Sequence, residues 1–85
     1  MSQPPQTQRL SFERTAVYRI IVQGVLHEDY SDYLGGMQIA QRGQGQTVLF
    51  GQLQDQVALI GVLNALIDLH LPLVAVEFLG LDESE

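Results

Sequence analysis

The 85-residue chain predicts an α+β domain with the element order β-α-β-β-α-β. Three observations carry that expectation. Four short runs have strand period, a glycine-bearing turn of hairpin length joins the second run to the third, and one proline-free stretch of helical length opens at Asp55.

The first run, AVYRIIVQG at 16–24, is rich in β-branched and aromatic residues. Strand period puts Ala16, Tyr18, Ile20 and Val22 on one face and Val17, Arg19, Ile21 and Gln23 on the other, a half-apolar face. VLHEDYSDYLGG follows, long enough for a short helix over about 28–34 that stops at Gly35-Gly36. MQIAQR (37–42) and QTVLFG (46–51) flank GQG and pair as an antiparallel hairpin. Asp55 is suited to cap a helix over 56–69, its carboxylate accepting from backbone N–H groups two or three residues on. On a 100° wheel Leu59, Val62, Leu66 and Leu69 face the sheet, opposite Val57, Gly61, Asn64 and Asp68. Ile60, Leu63 and Ile67 widen the apolar sector beyond what one sheet face buries. Pro72 disfavours helical geometry at Leu71 and so separates helix from strand, and His70 is expected in the positive-φ position that often ends a helix. LVAVEFL at 73–79 is a nearly continuous apolar run, the pattern of a strand covered on both faces or placed centrally.

This order is that of the ferredoxin-like split βαβ pair: a four-stranded antiparallel sheet with both helices on one face. The opposite face is then bare, and Val17, Ile21 and Leu49 are expected to line it. The link from Gly24 to Met37 is close to the shortest crossover between parallel strands. If 28–34 is a loop, the alternative is a three-strand meander with one helix and a fourth strand.

Composition narrows the function classes. One domain of this size buries only roughly 60–65% of the surface its unfolded chain exposes, so a partner that adds to the core is expected. Charged residues make up 16% of the chain, and eleven glutamines fill polar positions. The net charge of −6 opposes phosphate backbones and anionic lipid, which argues against nucleic acid and acidic membranes as partners. Cysteine is absent, which removes disulfides, thiolate nucleophiles and cysteine metal sites. A membrane span through 55–76 is interrupted by Asn64, Asp68, His70 and Pro72. The first residues lack the basic and apolar regions of a secretory signal, so the expected location is cytoplasmic. Residues 1–14 read as a flexible tail, 15–80 as the single domain and 81–85 as an acidic tail.

The runs VQGVL and GGMQI, followed by TVLFGQLQDQVALIGVLNALIDLHLPLVAV, resemble a group of small single-domain bacterial proteins. Its members share a G-x-L element, a T-x-L-x-G-x-L-x-D-Q-x-A-L-x-G-x-L segment and a D-L-x-L run leading into a strand. The similarity covers about 17–78 and is most specific around Asp55-Gln56. The group has no assigned activity, so the resemblance implies a shape and little chemistry. Ile60 stands where the group carries histidine, and Tyr33 where tryptophan is frequent. An activity resting on that histidine does not transfer to this chain.

The chemistry-bearing residues are few. His27, Glu28, Asp29 and Asp32 gather in HEDYSD, but Ser31 occupies the place of the second histidine of H-E-x-x-H. Acidic residues at the start of a helix also serve its positive end. No serine or threonine lies in an elbow beside a base, and G-x-G at 43–45 joins strands instead of preceding a helix. No catalytic residue, metal ligand or cofactor is therefore expected. The expected function is a non-catalytic, homodimerising interaction or regulatory domain, open to a protein partner. Its expected interface comprises Ile60, Leu63, Ile67, Val17, Ile21 and Leu49. The alternative is an ACT-like sensor of a small molecule or cation at a dimer interface, with His27, Glu28, Asp29 and Asp32 in its ligand loop; this comparison is by fold alone.

Overall fold

The structure, a computed structural model, describes residues 15–81. The expected N-terminal tail and residues 82–85 of the expected acidic tail lie outside the described residues, while Leu81 closes the last strand. The elements are β1 (Ala16–Gln23), a 3-10 helix (Glu28–Leu34), β2 (Gln38–Arg42), β3 (Gln46–Leu53), α1 (Gln56–Asp68) and β4 (Leu73–Leu81). The fold is α+β, with one antiparallel sheet in the order β2-β3-β1-β4.

The second element is a 3-10 helix and not an α-helix, for a reason of reach. Both β1 and β2 run antiparallel to β3, so the connection between them must travel back along five-residue β2, about 17 Å at strand spacing. Seven residues cover roughly 14 Å as 3-10 helix but only about 10 Å as α-helix. The His27 imidazole caps this helix, its Nδ1 accepting from the Asp29 N–H at 3.1 Å, and Gly35 at φ 72° ends it. The left-handed backbone there suits glycine, and an added Cβ would lie 3.0 Å from Leu53 Cδ2.

The hairpin and α1 form as the sequence predicts. The loop 43–45 joins β2 to β3, with Gln44 and Gly45 at positive φ. Asp55 Oδ1 accepts from Ala58 N at 2.8 Å. At the other end His70 adopts φ 63°, its N–H reaching Ile67 O at 2.9 Å while Leu71 N–H reaches Leu66 O at 3.1 Å. This is the Schellman arrangement, with histidine where glycine is usual.

The core lies between the sheet and the helical layer. Ile20 and Val22 of β1 meet Leu49 and Leu53 of β3, Leu34 and Met37 of the crossover, and Val62 and Leu66 of α1. Two expectations need correction. Leu49, expected on the bare face, pairs with Ile20 and is fully buried on the helix side. Of the two phases of 46–51, Val48 and Phe50 make the more apolar one, yet the pairing register turns Thr47 and Leu49 into the core and leaves Val48 and Phe50 on the other face. The second correction concerns β4. Among the described residues it is an edge strand with β1 as its one strand neighbour, and several of its apolar residues are exposed. Four strands at roughly 4.8 Å spacing make a sheet about 19 Å wide, and a helix about 10 Å across covers about half of it. Helix α1 packs over β3 and the 3-10 helix, leaving the β4 side uncovered.

Candidate interaction surface

The pairing register fixes which β4 side chains share the helix side of the sheet. Leu73 lies opposite Val22, Val76 opposite Ile20 and Phe78 opposite Tyr18, all core residues of β1. The Phe78 and Tyr18 rings meet edge-on at 5.8 Å, yet Phe78 keeps 59% of its surface exposed. Across the sheet from this row stands the outer flank of α1. Ile60 is 53% and Ile67 56% exposed, while Leu63 is half-buried against the core. Ile67 and Leu73 line one shallow groove with His70, Leu71 and Pro72, so the helix flank and the strand row meet at this end. Val74 and Leu79 of β4 are exposed as well, so apolar exposure here is clustered and not scattered singly as on an ordinary monomer surface.

The opposite face of the sheet has a different character. Arg19 Nε donates to Glu77 Oε1 across β1 and β4. Arg19, Glu77, Arg42 and Val48 surround Ile21, which is only 7% exposed. Val17 is half-buried and Gln23 bonds into the hairpin loop. Thus Val17 and Ile21 do lie on the face away from α1, but Ile21 offers little surface to a partner. Leu49 offers none.

The acidic loop does not converge on a point. His27, Glu28, Asp29 and Asp32 are all exposed. The His27 Nδ1 lone pair is occupied by the Asp29 N–H, so that nitrogen cannot also donate to the Asp29 carboxylate 3.4 Å away. Glu28 and Asp29 border a shallow depression with Ser31, Gln38 and Ile39, and the Ser31 hydroxyl there donates to Met37 O at 2.7 Å. Among the described residues, no group of three or more histidine, cysteine, aspartate or glutamate side chains is placed to hold a metal ion. No helix among them is long and apolar enough to cross a membrane.

A family model described as a domain of unknown function, DUF8691, matches residues 17–77. The chain belongs to this family. The matched DUF8691 span takes in β1, the 3-10 helix, the hairpin, α1 and β4 as far as Glu77, and so contains both the helix flank and most of the exposed strand row. No curated protein and no solved structure matches the chain. Of the helix residues expected at an interface, Ile60 and Ile67 are exposed and Leu63 is half-buried, while the exposed Leu73, Val76 and Phe78 were not among those expected. Their apolar pattern carries no mark that distinguishes an edge strand from a central one.

Proposed function

We propose that this domain is a non-catalytic interaction module that acts as a homodimer, with the outer flank of α1 and the helix side of β4 as its interface. The observation that carries the reading is the continuous exposed apolar surface running from Ile67 across the groove to Leu73 and along β4 to Phe78. Clustered exposed apolar residues rimmed by polar ones are the ordinary mark of an association surface, and a standard stable interface covers roughly 800 Å² per partner. A core as small as this one gains most from a partner that extends it, and a second copy supplies a matching surface at the same concentration.

The strand order and the two crossovers on one side of the sheet support a finer reading of the fold. It is a ferredoxin-like βαββαβ arrangement in which a 3-10 helix takes the place of the first α-helix. That replacement thins the helical layer, and the thinning is what leaves a face for association.

The test is the mass of the purified protein by light scattering. We expect a dimer at micromolar concentration, and Ile67→Glu should raise the dimer dissociation constant at least tenfold while leaving the helical circular-dichroism signal in place. Ile67 is 56% exposed and lies outside the buried core, so the substitution should disturb association more than folding. A monomer at micromolar concentration would defeat the proposal.

A further inference from the structure

The two edges of the sheet are built differently. Edge strand β2 is five residues long and reads Gln-Ile-Ala-Gln-Arg, with four of the five exposed. A short polar strand of this kind discourages pairing with another chain. Edge strand β4 is nine residues long, and its one charge, Glu77, is held by Arg19 of the same chain. Nothing on β4 resembles the lysine, proline or inward charge with which exposed edges are usually protected, apart from two bulges. Those bulges leave Val74 and Leu79 as extra residues and confine regular geometry to the segment Ala75–Phe78.

We propose that β4 pairs antiparallel with β4 of a second copy about a two-fold axis at Val76, joining the two sheets into one of eight strands. This rests on the dimer reading above and specifies how the copies meet. Three features select a second copy as the occupant. The edge is electrically neutral once Arg19 holds Glu77, so two copies meet there without opposed charge despite the net charge of −6 on each chain. An isologous contact consumes the β4 edge of both chains, and the polar β2 edges do not propagate it, so association closes at two. In the joined sheet the helix sides of the two β4 strands lie next to each other, so that Leu73, Val76 and Phe78 of both copies form one apolar strip bordered by the Ile67 groove of each chain.

The register follows from strand period and charge. Side chains facing each other across an antiparallel pair lie on the same face, so the axis falls on a residue of the regular segment and not between two. An axis at Glu77 sets Glu77 against its own copy, which like-charge repulsion disfavours. Axes at Ala75 and Phe78 draw the bulge residues Val74 and Leu79 into the pairing, whereas an axis at Val76 stays within the regular segment, sets Val76 against Val76 and Ala75 against Glu77, and opposes no charges.

The absence of cysteine makes the test direct. Single variants Val76→Cys, Glu77→Cys and Ala40→Cys, each at a surface-accessible position, are oxidised at equal concentration, and the covalent dimer is measured on non-reducing gels alongside light scattering. Directly opposed residues have Cβ atoms about 4.5–5.5 Å apart, close to disulfide range, whereas a two-residue offset is out of reach. We expect Val76→Cys to cross-link at least tenfold faster than the other two. Faster linkage at Glu77→Cys overturns the register, and at Ala40→Cys it overturns the choice of edge. A dimer by light scattering with no preferred linkage overturns strand pairing while leaving the dimer reading intact. A monomer whose β4 amides are nonetheless protected from hydrogen exchange overturns both, because another segment or another protein then covers the edge.

Discussion

Thr47 is fully buried, and its hydroxyl ties the start of the first crossover to β3. Oγ1 accepts from Leu26 N–H at 3.1 Å and lies 2.6 Å from Gly24 O and 3.3 Å from Gln41 Oε1. A hydroxyl has one proton, and the shorter contact assigns it to Gly24 O. Gln41 Nε2 completes the network by donating to Leu26 O at 2.9 Å. Replacing Thr47 with valine keeps the shape but strips Leu26 N–H of its acceptor at a residue 4% exposed, where water has little access. An unsatisfied buried donor costs about 1–3 kcal/mol, more than the gain from burying one more methyl group. With a urea m-value of about 1 kcal/mol/M for a small chain, the unfolding midpoint should fall by roughly 1–3 M. Thr47→Ser is the discriminating control, since it keeps the hydroxyl and loses one methyl, a cost of about 1 kcal/mol. If hydrogen bonding governs the site, valine is the more damaging change; if packing governs it, serine is. Equilibrium urea unfolding at one fixed protein concentration reads the order, the fixed concentration being needed because dimerisation is linked to stability. A valine variant as stable as the parent, or more stable than the serine variant, refutes the assignment.

Two further substitutions test the helix ends. Asp55→Ala removes the acceptor of the Ala58 N–H bond and should cost about 1 kcal/mol, whereas Asp55→Asn should be nearly neutral, both read from the urea midpoint. His70→Gly relieves the left-handed backbone at φ 63° and should raise stability by about 0.5–1 kcal/mol after the greater freedom of glycine in the unfolded chain is subtracted. For a domain of this size that corresponds to a rise in Tm of about 2–8 °C.

Much of the fold was legible along the chain because it rests on local physics. The Asp55 cap, the glycine-bearing hairpin loop and the positive φ at His70 each depend on a residue and its near neighbours, and each appears where the sequence placed it. The alternation of β1 also separates its faces correctly: Ala16, Tyr18, Ile20 and Val22 all enter the core, while Arg19 stays on the opposite face. The excess apolar surface of α1 was visible as Ile60 and Ile67, both of which remain more than half exposed.

Only tertiary structure decided the rest. Leu49 went inward because it pairs with Ile20 of β1, although Val48 and Phe50 form the more apolar phase of its strand. LVAVEFL reads as a covered strand, but covering is a property of what packs against it. The crossover before β2 has room for a seven-residue 3-10 helix only, so α1 alone cannot roof four strands and β4 is left at an open edge. The sequence by itself determined which segments are strand, helix and turn, since those preferences arise within a few residues. Which apolar residues remained for a partner was decided by the order of the strands and the width of the helical layer, which are relations between segments far apart in the chain.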